Sequence, residues 1–337
     1  MNKLKLIKII QKKSNNIIEK KPSNNIIQTK PNNKTTLTLK INSDHMLSSI
    51  INNYNFMQSV NQFIAYFLPN KYNYKLVGKN QKSDISIWDI HLNNNTHLCN
   101  DEINMLICVE NVDHWKFYEH YKMYDNYKNN KMHLYLYNHI DRISKQNYLS
   151  IPSVHCYINY FLNNQNLHQP SNFTNFDNKR FCLLINRSDL NSDIQKIKFE
   201  LEKIDEVDCI KMYTNLSKKS CYHSVELLNI FNNYKFIICY ENSYKNGYVT
   251  EKIFNCFFAK TIPIYKGAPN IDMYFDKNSY IDTNKDNYIE LIQLLNKNES
   301  MYNNYIDSNK ISSNYNNENY NEEMINFIEK KLKKTFK

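Results

Sequence analysis

Asn242, Tyr248, Thr250, Glu251 and Lys252 have the residue types and spacing to do chemistry on an anion. They lie between an apolar run, Phe236 to Tyr240, and a stretch from Val249 in which Ile253, Phe254, Phe257 and Phe258 fall on one helical face. Thr250 is a natural N-cap. A helix starting there aims backbone N–H groups and the positive end of its dipole at the preceding loop, which suits a diphosphate, and Lys252 on the first turn adds a full charge. Asn242 can donate a hydrogen bond from the strand end, and Tyr248 can stack or donate. Polar residues at a helix start are also ordinary surface chemistry, so the residues alone leave both readings open.

Scarcity singles out the same segment. Of the three glycines, Gly78, Gly247 and Gly267, two fall between 247 and 269, with two of three alanines, Ala259 and Ala268, and with Pro263 and Pro269. In a chain this poor in small residues, those positions call for an open backbone or a close approach. A second carboxylate of interest is Glu110, which ends the apolar stretch Ile103 to Val109. Read alone it is a surface or helix-start carboxylate; Asp113, His114 and Glu119 are nearby rivals, and His114 beside Trp115 reads as a packed histidine.

The elements that must position these residues alternate. In the second half the pattern predicts strands at 180–185, 207–212, 235–240 and 261–265, with helices at 194–204, 224–232 and 249–259 between them, then helices at 288–296 and 321–334. Strands alternating with helices imply an α/β class with a parallel sheet covered on both faces, and ligands then bind at the carboxyl ends of its strands. In the first half, a helix at 57–68 and strands at 74–77, 84–88, 103–109 and 134–137 indicate another α/β unit. The expected division is a disordered basic arm at 1–45, an N-terminal unit at 46–168, a donor-binding unit at 169–300 with a polar linker at 159–178 spanning their junction, and an Asn-rich segment with a terminal helix at 301–337.

Residues 1 to 40 carry ten lysines against the single acid Glu19, nearly the whole of the net charge of +10. The charge therefore belongs to an arm without aromatic residues, which argues against nucleic acid as a partner; a partner or a membrane surface touched by the arm is the alternative. The eight cysteines are scattered without a C-x-x-C pair, as expected of free thiols in a reducing compartment. No run approaches the ~20 apolar residues that span a bilayer, and lysines interrupt the start too often for a signal segment. A soluble, cytoplasmic protein with no metal site is the expectation.

Tyr234 to Ser243, Gly247 to Ile253, Thr261 to Asn270 and Lys277 to Asp282 together resemble the donor-site signature of the α-1,3/4-fucosyltransferases, glycosyltransferase family 10, with order and spacing kept. Arg180 to Ile185 resembles the strand that opens the family's donor domain, Asn147 to Pro152 its tyrosine- and proline-bearing segment, and Val109-Glu110-Asn111 its Gly-Glu-Asn element. The resemblance covers roughly residues 55 to 300. It implies a GT-B fold of two Rossmann-like domains whose parallel sheets face across a cleft, and an inverting transfer of fucose from GDP-fucose to a glycan or glycoconjugate, at O3 of a GlcNAc-type residue. It gives Glu110 the role of catalytic base. Lys252, the helix start at Thr250 and Arg187 would carry the leaving diphosphate; Glu251 would meet the sugar hydroxyls or offset charge on the ring; Asn242 and Tyr248 would hold the phosphates and the base end. No tightly bound cofactor and no divalent metal are required.

The chain departs from the family in two places. Val109 replaces a glycine, which tightens the acceptor side, and the family's diphosphate-gripping arginine falls on Ile194, leaving Arg187, Lys196 and Lys198 as substitutes. Transfer from another GDP-sugar and GDP binding without turnover stand as the alternative functions.

Overall fold

Short apolar strands divided by amphipathic helices fold into two parallel sheets. The computed structural model describes residues 34–42, 68–69, 71–78, 80–88, 103–108, 134–137, 143–144, 149–186, 192–211, 224–315 and 318–335. The first sheet holds β1 (Thr36–Ile41), β2 (Asn73–Leu76), β3 (Ile85–Trp88), β4 (Ile103–Cys108), β5 (Leu134–Tyr137), β6 (Ile143–Ser144) and β7 (Leu149–Pro152), in the order β2-β1-β3-β4-β5-β7-β6. Only the edge pair β6–β7 is antiparallel.

The second sheet holds β8 (Arg180–Asn186), β9 (Val207–Lys211), β10 (Tyr234–Tyr240), β11 (Ile262–Lys266) and β12 (Ile281–Asp282), all parallel, in the order β12-β11-β10-β8-β9. Counted from its own first strand this is 2-1-3-4-5, the order with which the first sheet also begins. Both sheets are therefore doubly wound, the architecture expected from the alternation. The middle strand, β10, is buried along nearly its whole length, which is why its sequence from Phe236 to Tyr240 is a continuous apolar run rather than an alternating one.

Seven helices cover the sheets among the described residues: α1 (Val154–Asn164), α2 (Ser192–Leu201), α3 (Val225–Asn232), α4 (Glu251–Phe258), α5 (Tyr288–Lys297), α6 (Glu299–Asp307) and α7 (Glu318–Thr335). The α4 helix buries Ile253, Phe254, Phe257 and Phe258, the stripe read from the sequence. It stops in a Schellman-type turn: Lys260 N–H donates to Phe257 O, Thr261 N–H donates to Cys256 O, and Lys260 takes φ 51°. Its aromatic stripe packs on α1, with the Phe161 ring 5.8 Å from Phe254 and 5.0 Å from Phe258. The last helix returns to the first sheet, touching β4 and β7 and burying Met324, Phe327 and Ile328.

Three expectations change. Thr36–Ile41, assigned to a disordered arm, is an interior strand paired with β2 and β3, because Leu37, Leu39 and Ile41 are buried and the Lys40 ammonium donates to Gln81 O. The polar stretch 159–178, expected as a linker, begins as helix: α1 runs to Asn164, and its asparagines satisfy themselves by donating to carbonyls one turn back, as Asn164 does to Tyr160 O. The Asn-rich segment after 300 contains most of α6, capped by Asn298, which accepts from Met301 N–H. Residues 1–33 and all but Leu68 of the helix expected at 57–68 lie outside the described residues.

Candidate functional site

In the second sheet the chain leaves β8 toward β9 on one side and leaves β10 toward β11 on the other. The carboxyl ends of β8 and β10 thus flank the crevice where open α/β sheets bind ligands. One wall is the loop 241–250, between β10 and α4. Gly247 takes φ 75° there, a conformation that favours glycine, and its N–H donates to Asn270 Oδ1 at 2.8 Å. Glu241 N–H donates to Lys266 O at 2.8 Å, which ties the loop's first residue to the end of β11.

The centre of this wall is a carboxylate. The Glu241 side chain is 0% exposed, and its Oε1 accepts from Thr250 N–H at 2.8 Å. Thr250 Oγ1 lies 2.9 Å from Oε2 and 3.1 Å from Oε1. Lys252 Nζ lies 3.2 Å from Oε2 and donates also to Tyr240 O at 2.9 Å and Asn242 Oδ1 at 3.2 Å. Burial by itself would pull the Lys252 ammonium down; the Glu241 charge, with Glu251 and Cys239, outweighs it and holds the ammonium above the usual lysine value. The carboxylate fits because Gly267 leaves the space: a Cβ there would lie 2.7 Å from Glu241 Cγ.

A second polar cluster lies at the same strand ends. Asp193, in the first turn of α2, accepts from Tyr244 Oη at 2.9 Å and from Lys266 Nζ at 2.8 Å, both at Oδ2. Those two hydrogen bonds, Lys266 first, hold its carboxyl below the usual carboxylate range. The Lys266 ammonium stands 5.0 Å from the centre of the exposed Tyr244 ring.

The structure brings Asn242, Thr250, Glu251 and Lys252 together at the start of α4, with Asn242 exposed and Glu251 and Lys252 half-buried. Thr250 is the N-cap, yet its N–H and hydroxyl are turned onto Glu241 rather than left open for an anion. Tyr248 is 1% exposed, so its ring packs in the core instead of offering a stacking face. Lys198 pairs with Glu202 one turn on, and Lys196 is exposed on α2. Glu110 and Arg187, with Asp113, His114 and Glu119, lie outside the described residues. Sequence reasoning passed over Glu241, Asp193 and Lys266. For Glu241 a signal existed: a carboxylate directly after the apolar run Phe236 to Tyr240, opposite a rare glycine.

Among the described residues no group of three or more His, Cys, Asp or Glu converges to hold a metal ion, and no helix is long and apolar enough to cross a membrane.

The two doubly wound parallel sheets give the chain a fold of the GT-B type. Residues 175–333, a little under half of the chain, match the family described as glycosyltransferase family 10 (fucosyltransferase), C-terminal domain. An alpha-(1,3)-fucosyltransferase of Helicobacter pylori is 40% identical over 73 residues, 20% of this chain and 15% of that protein. Alpha-(1,3)-fucosyltransferase B of Drosophila melanogaster is 39% identical over 88 residues, 25% of this chain and 20% of that protein. The chain thus aligns with a fifth or less of these relatives' length. The crystal structure of an alpha1,3-fucosyltransferase with GDP superposes at a TM-score of 0.59 and 16% identity, covering 92% of this chain and 94% of that one. A structure of an alpha1,3-fucosyltransferase with GDP-fucose superposes at 0.56 and 17% identity over 91% and 94%. These likenesses carry the fold, which extends well beyond the matched segment.

Proposed function

We propose that the protein transfers L-fucose from GDP-fucose to a hydroxyl of a glycan, O3 of a GlcNAc-type residue, with inversion at the anomeric carbon. The observation that supports this most is the ammonium of Lys252, held at the switch-point crevice of a domain that matches the fucosyltransferase family. The unit of the second sheet, at 169–300, holds the donor, and the unit of the first sheet, which includes β1 from Thr36, holds the acceptor.

An ammonium has three donors, and Tyr240 O, Glu241 Oε2 and Asn242 Oδ1 take all three. Asn242 is the exposed partner of the three, so a diphosphate oxygen enters by replacing its carbonyl oxygen, and the Asn242 amide is then released to donate to the same ligand. Lys266 supplies the second cation at these strand ends, on the side where the family arginine is replaced by Ile194. Glu251 meets the sugar or ribose hydroxyls, and Tyr248 supports the loop from within the core. Arg187, which follows β8 in the sequence, is assigned to the diphosphate as well.

As the acceptor oxygen bonds to the anomeric carbon, Glu110 takes its proton and the bond to the diphosphate breaks, the leaving charge falling on Lys252 and the helix start. The test is a transfer screen over GDP-fucose and other nucleotide sugars with wild type and Glu110→Gln. Wild type is expected to prefer GDP-fucose and the variant to lose transfer. Preference for another donor contradicts the fucosyl assignment, and a fully active Glu110→Gln removes the base.

A further inference from the structure

We propose that Glu241 is a positioning residue of the donor site: it sets the Lys252 ammonium and the first turn of α4 at the crevice without touching the ligand, and position 267 is glycine to admit it. This rests on reading the site as a cradle for a nucleoside diphosphate.

The Glu241 carboxylate is wholly inside the protein, where a charge is costly unless it is paired and hydrogen-bonded. Its partners satisfy it from two directions, Thr250 through its N–H and hydroxyl and Lys252 through its ammonium. Stability alone gives no reason for this arrangement, since a buried ion pair replaced by apolar groups of equal volume is often no less stable. What the carboxylate does provide is orientation. The N-cap of α4, Thr250, and one residue of its first turn, Lys252, are fixed by the carboxylate just past the end of β10: rotating Thr250 away strips the buried carboxylate of hydrogen bonds, and rotating Lys252 away leaves its charge unpaired.

The surroundings are shaped for the carboxylate. A Cβ at 267 would lie 2.6 Å from Tyr265 Cζ and 2.7 Å from Glu241 Cγ, so the side chain of any other residue collides with both. Tyr265 is itself buried and fixed by accepting from Ala268 N–H at 3.1 Å, which leaves its ring little freedom to yield. The charged or titratable neighbours of the Lys252 ammonium are Glu241 after β10, Cys239 on β10 and Glu251 on its own helix. Of these, Glu241 has the largest influence in favour of the charged form. Removing its charge while keeping its shape therefore lets burial prevail, and Lys252 gives up its proton at lower pH.

The experiment compares full-length wild type, Glu241→Gln, Glu241→Asp and Gly267→Ala. Calorimetric titration with GDP is run across pH 6 to about 10, and the Lys252 ammonium is titrated by NMR after reductive methylation with labelled formaldehyde. In Glu241→Gln, GDP binding is expected to weaken about tenfold or more at neutral pH. The Lys252 titration and the alkaline limb of GDP binding should both move about one unit or more toward acid. Circular dichroism should stay that of a folded chain. Glu241→Asp keeps the charge and shortens the reach, so it should restore most of the Lys252 titration but not the affinity. Gly267→Ala, which displaces the carboxylate without removing it, should weaken GDP binding in the same direction. Wild-type Lys252 titration in a folded Glu241→Gln protein overturns this inference alone. Wild-type protein that binds no GDP overturns the functional reading and this role with it.

Discussion

The hydroxyl oxygen of Tyr265 lies 2.3 Å from where a Cβ of Gly267 would stand. The glycine at the end of β11 is thus fitted to the tyrosine two residues before it as well as to the carboxylate across the strand pair. A backbone that passes this close to a rigid ring tolerates no side chain.

Gly267→Ala should therefore cost about 1–3 kcal/mol of stability, the usual result of overpacking a site that cannot give way. Urea unfolding measures it. An alanine protein with the wild-type midpoint would show that Tyr265 moves freely.

Phe254 joins α1 to α4 through Phe161 and Tyr157 and reaches Phe275, whose ring centre is 5.4 Å away. It is 1% exposed. Phe254→Ala should cost about 3–5 kcal/mol, again read by urea unfolding, and a loss below about 1 kcal/mol would mean that the seam repacks.

The ion pair of Lys266 with Asp193 is partly exposed, and such pairs add only about 0–1 kcal/mol. Lys266→Met should leave the unfolding midpoint nearly unchanged yet weaken GDP binding about tenfold, while Lys196→Met and Lys198→Met leave both near wild type. Equal GDP affinity in all three would remove Lys266 from the donor site.

Stability should climb with pH before it falls. Burial pulls the ammonium groups of Lys179 and Lys310 down to about 8. An unfolded chain keeps those protons to about 10.4, so between the two values the unfolded state binds more protons and each group adds at most about 1.4 kcal/mol per pH unit. Above about 9 the sign reverses: the buried thiols of Cys156, pushed up to about 12, and of Cys182 and Cys239, raised by burial, keep protons that the unfolded chain releases, and the phenols of Tyr72, Tyr234 and Tyr240, pushed up to about 12 mainly by burial, add to the fall. Urea midpoints from pH 7 to about 11 should pass through a maximum between about pH 8 and 9, and a monotonic decline from pH 7 would contradict the burial of these lysines.

What the sequence made legible follows from how local each signal is. The β10–α4 unit was readable because its strand ends in the unbroken apolar run Phe236 to Tyr240 and its helix carries a clean stripe, both within one window. The β1 strand escaped because Thr36–Ile41 follows a lysine- and asparagine-rich stretch and its burial comes from pairing with residues 73–76 and 85–87. In the site, the N-cap at Thr250 and the charge at Lys252 were plain; that both are already engaged was not. Glu241 lies nine and eleven residues away in sequence, Asp193 is 73 residues from Lys266, and Gly267 acts by the side chain it lacks. Such partnerships appear only when the strand ends are brought together.

Lys252→Ala tests the central claim most directly, because the account assigns that ammonium to the departing diphosphate. Steady-state transfer from GDP-fucose to an N-acetyllactosamine-type acceptor should show kcat/KM falling about a hundredfold or more in a protein that still folds. Wild-type kcat/KM in Lys252→Ala would contradict the assignment of this crevice as the donor site.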